Sequence, residues 1–452
     1  PAGWAPGATA DWWGQLNDPL LLELIQSAQG ASADLASAAA RVAEARATRV
    51  AAGAALLPGL DGSLSGSRGN SALGGGSGAP SASAGSSSSS SSLVSTVPVT
   101  TLSAGLQARW EIDLFGRLRA DRDAALTRYD AADARWHGTR VSMAAETANA
   151  YFAERACQQQ LAVAESDTRS RSETARLTDL SARAGFTAPA DAALARASAS
   201  DSTGRLTQQR ATCAVQRKAL VALTGIDEPT LASKLAAAPV QQALPAINLI
   251  ASVPAQALAQ RPDVYAAELA VAAASADVGS AEAERYPKLT LSGNVSRTQI
   301  RTSGFRESFE SWSVGPVTLT VPLLDGGARV ANADAARARY TEAVSLYQAN
   351  VRSAVREVEE ALVNLDSTAS RTADADSAVQ NYQASFNATQ ARYESGLASL
   401  FELEDSRRTL FAAQTARVSL ARERTEAWVS LYRSVGGGWM RPDANNKMSS
   451  LQ

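Results

Sequence analysis

The stretch YESGLASLFELEDSRR, residues 393–408, interrupts the longest helical pattern of the sequence. The residues from Gly326 to Glu394 contain no proline, and the helical pattern resumes after the stretch up to Val435. Gly396 is the only glycine between residues 327 and 436. Glycine adopts the positive φ of a helix-ending turn at little cost. We therefore predict a turn at Gly396 between two long helices, followed directly by three acids, Glu402, Glu404 and Asp405.

The composition favours long helices and excludes several classes of function. The chain has 452 residues, a net charge of −2, 6% aromatic residues and abundant alanine. Alanine-rich sequence with scattered charges is typical of long helices, and the near-neutral charge disfavours nucleic acid as a partner. The single histidine, His137, is interpreted as a solvated helix residue. Without a nucleophile–base pair or a phosphate loop, we predict no enzyme activity, no metal and no cofactor.

Membrane helices and a leader segment are not predicted. No run of 18 apolar residues is present, as a transmembrane helix would require. The sequence opens at Pro1 without a methionine or a signal peptide, as expected of a processed or trimmed form.

The clearest strand pattern is TLSAGLQARWEIDL, residues 101–114. Leu102, Leu106 and Trp110 fall on one face, whereas Arg109 falls on the other with the polar residues. The pattern is long for a globular strand and has the length of a tilted membrane-spanning strand.

Three weaker strand patterns accompany it. The period changes to two after Pro58 and again from Leu289. In the last strand the alternation shifts by one residue at Gly315–Pro316, which indicates a β-bulge. A stretch rich in serine, glycine and alanine, residues 69–98, separates the first two strands and is interpreted as an exposed loop.

The two cysteines lie symmetrically about a predicted turn. A helical pattern runs from residue 116 to 183, and a second from 190 to 223. Gly185 is midway between Cys157 and Cys213, so both thiols would lie roughly 40 Å from the turn at 1.5 Å per residue. We predict a disulfide, and therefore an oxidising compartment. Two buried free thiols are the alternative, because equal height does not fix side-chain direction.

The second half of the sequence repeats the first. Pro58 recurs as Pro287, 229 residues later, and Gly185 recurs as Gly396, 211 residues later. The difference falls in the Ser-rich loop, whereas helix lengths are kept. We interpret the chain as an internal duplication.

The strands and helices together predict an oligomer. Four amphipathic strands cannot close, because sheet edges facing lipid are not tolerated and the smallest single-chain membrane barrel has about eight strands. A dimer would supply about 8 strands and a trimer about 12. A helix of about 68 residues in each repeat spans roughly 100 Å, and helices 19–55 and 260–285 could stack on the shorter return helices. We predict an α+β membrane protein in which a β-barrel continues into a long α-helical barrel.

The predicted order of parts is as follows: N-terminal segment and helix, 1–55; first β-hairpin, 56–114, with the Ser-rich loop 69–98; first helical hairpin, 115–225, with its tip near 185–191; equatorial connector, 226–259; helix, 260–286; second β-hairpin, 287–323; second helical hairpin, 324–436, with its tip near 394–402; polar tail, 437–452.

Several motifs resemble those of the TolC/OprM-like outer-membrane efflux family. They are the strand-to-helix sequence WEIDLFGRLR at 110–119, its partner VPLLDGGAR at 321–329, and the turn at 393–408. The opening WWGQLNDPLLLELIQSA, 12–28, is similar to the lipoprotein (NodT-like) branch. That branch carries an acylated N-terminal cysteine, and neither cysteine here is terminal. Either the sequence starts downstream of it, or this member is not lipidated.

The resemblance covers about residues 11–440 and has definite implications. It implies a homotrimer with a 12-stranded barrel in outer-membrane lipid and an α-helical tunnel in the periplasm. Such proteins are passive exit ducts of tripartite efflux pumps for drugs or other small molecules. They work with a periplasmic adaptor and an inner-membrane transporter, and they are gated at the periplasmic tip.

The resemblance also implies where the gate lies. Glu402 and Asp405 fall at the positions of the acidic rings, and Phe401 falls at the apolar constriction. Ala398 stands where some members have an arginine that ties the helices shut, so we do not expect that contact here. Three more residues match positions that brace neighbouring helices: Tyr393, Arg408 and Asp191.

The residues themselves are compatible with a gate. Phe401 and Asp405 share a helix face one turn apart. In a trimer each becomes a ring of three, in which close carboxylates raise one another's pKa and favour cations. The alternative is a solvated acidic face near a helix N-terminus. The first turn has Pro189 and a single acid, so the gate is predicted to belong mainly to the second turn.

The sequence is also compatible with two other functions. A soluble periplasmic coiled-coil structural protein would fit the helices, although it has no use for the strand at 101–114. An outer-membrane channel for protein secretion would keep the same fold and change only the cargo.

Overall fold

The computed structural model describes residues 12–72, 96–238, 258–302 and 304–442. Internal contacts divide the chain into two compact units. Parts of the predicted loop, connector and tail, at residues 73–95, 239–257 and 443–452, lie outside the described residues. The unit that contains the sheet comprises Ala45–Tyr129 and Val271–Glu342; the unit that contains the helical turns comprises Pro1–Glu44, Asp130–Ala270 and Ala343–Gln452.

The sheet unit contains four antiparallel strands in the order of the sequence. They are β1 Gly59–Ala72, β2 Thr96–Ile112, β3 Lys288–Thr302 and β4 Phe305–Thr320. β2 is displaced from the predicted strand at 101–114, because its pairing with β1 continues to Thr96. It also stops before Asp113, whose carboxylate accepts hydrogen bonds from the backbone N–H of Leu118 and Arg119.

The two faces of the sheet differ in character, although the face that carries Val295 and Trp312 also carries the ion pair of Arg297 and Glu310. Leu64, Leu106, Val295 and Trp312 project from one face, as the strand pairing requires. Trp312 is 77% exposed and Leu64 is 84% exposed. The opposite face carries serine, threonine and charged residues, and hydroxyls bond across strands, for example Ser65 Oγ to Ser103 Oγ at 2.7 Å. The first face therefore presents uncovered apolar side chains on all four strands, whereas the other is mainly polar.

The predicted β-bulge is confirmed. Leu291 pairs with Val317 and Gly293 with Val314, so β4 advances three residues where β3 advances two. The extra residue falls at Gly315–Pro316, where Pro316 cannot donate a ladder hydrogen bond.

The long helices come in two matching pairs. α3, Arg117–Arg183, has 67 residues and is followed by α4, Pro189–Thr224, with 36. α7, Ala328–Glu394, also has 67 residues and is followed by α8, Leu400–Ser434, with 35. These nearly equal lengths are what a duplication would produce. Among the described residues, no helix combines the length and the apolar character needed to cross a bilayer.

The predicted helix 19–55 is in fact two helices, and this prediction was wrong. α1, Pro19–Ala31, and α2, Ala33–Ala54, are separated by Ser32, which has an extended backbone. The hydroxyl of Ser32 accepts a hydrogen bond from the N–H of Leu35, so it begins a new helix in place of continuing the first.

The described part of the chain also contains two shorter α-helices and a 3-10 turn at Gly14–Leu16. α5, Glu228–Ala237, lies in the predicted connector 226–259. α6, Pro262–Ala283, is shorter than the predicted helix 260–285 at both ends.

The largest apolar core lies in the unit that contains the helical turns. Leu21 and Leu24 of α1 pack with Leu231 of α5 and Trp428 of α8. Asp18 caps α1 by accepting from the N–H groups of Leu20 and Leu21 at 3.1 Å. His137 is half-buried rather than solvated, and its ring lies edge-on to that of Trp136.

Candidate functional site

The two helical turns have the same backbone geometry. Gly185 has φ of 82° and Gly396 has φ of 73°, which favours glycine at both positions. In each turn the N–H of the residue after the glycine donates to the carbonyl oxygen five residues earlier. These bonds are Phe186 N to Ser181 O at 3.0 Å and Leu397 N to Arg392 O at 2.7 Å. The two copies of the duplicated hairpin therefore have equivalent turns.

The two hairpins contact each other beside these turns. Leu400 and Leu403 of α8 are buried in a small core with Ala175 of α3 and Ala195 of α4. Tyr393, at the end of α7, lies within hydrogen-bond distance of Thr178 on α3, with 3.2 Å between the two hydroxyl oxygens. The predicted bracing residue Tyr393 thus lies between the hairpins.

Phe401 lies on the exposed side of the first turn of α8. Its side chain is 72% exposed, whereas the adjacent Leu400 and Leu403 are buried. The first turn of α8 therefore presents a large apolar side chain that nothing in the described chain covers.

Glu402 has a structural task within its own chain. Ser399 and Glu402 form a capping box: the Glu402 N–H donates to Ser399 Oγ at 3.2 Å, and the Ser399 N–H donates to the Glu402 carboxylate at 2.8 Å. The bond from the Ser399 N–H lowers the pKa of Glu402. This lowering of the pKa, which arises within one chain, is opposite to the rise in pKa that a ring of carboxylates would cause.

Asp405 and Arg408 form an exposed ion pair three residues apart. Arg408 Nη2 lies 2.5 Å from the Asp405 carboxylate, and Arg408 is 76% exposed. Such a pair contributes little to stability, typically up to ~1 kcal/mol. Asp191, the matching acid of the first hairpin, lies half-buried in the first turn of α4.

Glu404 does not join the other acids on the exposed surface. Its side chain is 14% exposed and ion-pairs with Arg171 of α3 and with Arg407. The Ser198 hydroxyl of α4 also donates to it at 2.6 Å. A second acid, Asp167, accepts from Arg171 Nε at 2.9 Å.

This buried cluster of charges was not recognised in the sequence. The spacings Asp167–Arg171 (i, i+4) and Glu404–Arg407 (i, i+3) could have pointed to two ion pairs. No short-range pattern could have shown that these two ion pairs meet, because Arg171 and Glu404 are 233 residues apart in sequence. Burial lowers the pKa of Arg407, and the carboxylate of Glu404 opposes that effect.

Cys157 of α3 and Cys213 of α4 form a disulfide, with their Cα atoms 5.6 Å apart. The bond lies within the first helical hairpin, and the second hairpin contains no cysteine. A metal site is not evident in the described ranges, where no cluster of three or more ligating residues occurs.

Comparisons with known proteins agree with this geometry. Residues 24–226 and 253–437 match the family model for outer membrane efflux proteins. The chain is 31% identical over 464 residues to the pyoverdine export outer membrane protein OpmQ of Pseudomonas putida, covering 97% of this chain and 92% of that protein. It is 26% identical to nodulation protein T of Rhizobium leguminosarum bv. viciae, covering 96% and 86%. Its fold matches the outer-membrane channel OprN with a TM-score of 0.80 and 27% identity, covering 95% and 92%.

A two-faced sheet and paired long helices with solved relatives of this kind define an outer-membrane channel protein. The chain belongs to the outer membrane efflux protein family, and the predicted resemblance to TolC/OprM-like and NodT-like members is confirmed. It is an efflux component of the bacterial outer membrane that extends into the periplasm. Its family consists of efflux channels and not of enzymes.

Proposed function

We propose that three copies of the chain form one channel with a 12-stranded barrel, four strands coming from each copy. β1 and β4 are the two edges of the sheet, and neither pairs with another strand in the described part of the chain. Unpaired edges are not tolerated in lipid, so strands of neighbouring copies must complete the ladder. This requirement supports a closed ring of identical subunits.

The faces of the sheet support its placement in the membrane. The apolar face would contact lipid and the polar face would line water, as in other barrels. At the end where all four strands join helices, exposed apolar residues mark each junction: Leu57, Phe115, Tyr286 and Leu324. The rings of Phe115 and Tyr286 stack with centroids 4.9 Å apart. Aromatic side chains of this kind favour the boundary between lipid and water.

The channel would serve as the exit duct of a tripartite efflux pump. A periplasmic adaptor and an inner-membrane transporter would deliver the cargo, as membership of this efflux family implies. OpmQ is named for pyoverdine export, and another relative, SrpC of Pseudomonas putida, is named for solvent efflux. Both names support small molecules as the cargo.

The gate would lie at the start of α8. Phe401, Glu402 and Asp405 would each form a ring of three, while Tyr393, Arg408 and Asp191 would brace neighbouring helices. The exposed Phe401 side chain, next to the buried Leu400 and Leu403, supports this assignment.

The test combines assembly and conductance. The protein extracted in detergent should run as a heat-dissociable trimer and conduct ions in planar bilayers. Replacing Phe401 and Asp405 together with alanine should raise the conductance, because the constriction loses both its apolar plug and its charge. Phe186→Ala is the matched control, since Phe186 is an exposed phenylalanine at the first turn, with 87% of its side chain accessible against 72% for Phe401. A monomer that is soluble without detergent would contradict the barrel, and unchanged conductance of the double variant would contradict the gate.

A further inference from the structure

We propose that Glu404 is the positioning residue of the gate: its buried carboxylate fixes the first turns of α8, and so the side chains of Phe401 and Asp405, onto the first helical hairpin. This inference rests on the proposed function, because it assumes that these residues form the gate. Glu404 itself does not line the channel.

The carboxylate of Glu404 is bound from three helices. Arg171 of α3 and the Ser198 hydroxyl of α4 both reach its Oε2 atom, and Arg407 of α8 reaches Oε1 at 2.5 Å. Both oxygens are therefore occupied. A carboxylate held by two guanidinium groups and a hydroxyl has one orientation, since each charge-assisted bond is directional.

The partners of Glu404 are themselves fixed. Arg171 is held by Asp167 of its own helix, with Nε 2.9 Å from Oδ1. Arg407 donates to the Thr174 hydroxyl of α3 at 3.0 Å. Its guanidinium group lies 5.6 Å from the ring centroid of Phe386 on α7. The cluster therefore connects all four helices of the two hairpins.

The position of Glu404 explains why it controls the gate side chains. At 100° per residue, Phe401 and Asp405 share one side of α8 and Glu404 lies about a quarter-turn away. Anchoring Glu404 therefore fixes the rotation of α8, which decides where Phe401 points.

The duplication shows that this arrangement is not a property of the hairpin backbone. The position equivalent to Glu404 in the first hairpin is Ala193, and the position equivalent to Arg407 is Arg196. Arg196 is exposed and pairs with Asp179 inside its own hairpin, at 2.7 Å. Only the second hairpin therefore reaches across to the other one with this buried charge.

The experiment uses the full-length trimer and four variants. Glu404→Gln keeps the shape of the side chain and removes its charge. Phe401→Ala removes the gate side chain, and the Phe401→Ala, Glu404→Gln double variant combines the two changes. Arg196→Gln is the control, because it removes an arginine at the equivalent repeat position whose ion pair stays within one hairpin.

Two measurements are made on each variant. Hydrogen exchange of the backbone amides at 400–410 reports whether α8 is held in place. The open fraction of single channels reports the gate. Glu404→Gln should accelerate exchange and raise the open fraction by about ten- to hundredfold, the range for losing a hydrogen bond to a charged group. Arg196→Gln should change neither, and the double variant should conduct like Phe401→Ala alone.

The last comparison separates positioning from a merely structural role. If Glu404 acts through Phe401, its substitution adds nothing once Phe401 is gone. An additive effect in the double variant, unchanged exchange, or accelerated exchange without any change in open fraction would each overturn the inference. A wild-type protein that forms trimers but no channels would instead overturn the proposed function, and the gate assignment of Glu404 with it.

Discussion

The disulfide of the first hairpin allows a prediction for which the second hairpin, which has no cysteine, is the internal control. Replacing Cys157 and Cys213 together with alanine leaves a 56-residue loop of chain without its covalent link. Both cysteines are 2% exposed, so the substitution adds no new surface contact. The helices α3 and α4 should still pair in the native state. The effect should appear in how easily this hairpin opens.

The size of the effect follows from the length of the loop. In the chain-entropy account, a link that closes 56 residues removes enough freedom from the opened chain to stabilise the closed form by about 4 kcal/mol. Every 1.4 kcal/mol corresponds to a factor of ten. Amides that exchange by opening of the hairpin should therefore exchange up to about a thousandfold faster in the variant.

Hydrogen exchange with peptide-level mass spectrometry is the assay. Residues 158–212 of the first hairpin should lose protection, whereas α7 and α8 provide the internal control. That second hairpin has almost the same helix lengths and no cysteine. Equal exchange of the first hairpin in both proteins would refute the reasoning, and so would an equal loss of protection in both hairpins.

Two further predictions concern the other end of the same unit. Asp18→Ala removes the cap of α1 and the acceptor of the buried Tyr151 hydroxyl, 2.6 Å away. The variant should destabilise α1 by at least about 1 kcal/mol, measured as faster hydrogen exchange of the amides of residues 19–31. Asp18→Asn is the control and should retain most of the cap. Burial lowers the pKa of His137, Asp133 opposes this and Arg140 lowers it further, so the unfolded chain takes up this proton first. The contribution of neutral His137 to the free energy of unfolding is therefore complete above a pH of about 6.5 and is lost as the pH falls through the folded pKa. His137→Gln should weaken the dependence of resistance to proteolysis on pH below this value. An unchanged dependence would contradict the prediction.

The sequence was sufficient for features that depend on neighbouring residues. The turns at Gly185 and Gly396 need positive φ, which few other residues adopt, so glycine marks them directly. The bulge at Gly315–Pro316 was visible because a one-residue shift reverses the alternation of a strand. The pairing of Cys157 with Cys213 followed from their equal distance to a turn.

Features that depend on distant residues were not predicted. Glu402, Glu404 and Asp405 look alike in sequence, yet the first caps its helix, the second is buried and the third forms an exposed ion pair. The partner that buries Glu404 is 233 residues away. The break at Ser32 was missed for a different reason, since serine is acceptable both inside a helix and at its start.

The two hairpins have matching backbones, so a difference in their behaviour must come from side chains that differ between the repeats. Arg196 and Arg407 occupy the same repeat position, but the first is used within its hairpin and the second reaches the buried Glu404 cluster. A hydrogen bond to a charged group in such a buried set contributes about 1.5–3 kcal/mol, whereas an exposed pair contributes at most about 1 kcal/mol. One copy of a duplicated hairpin can therefore acquire an additional buried anchor through very few substitutions. The structure places that difference at Ala193 and Glu404, where one repeat has no charge and the other has a carboxylate bound from three helices.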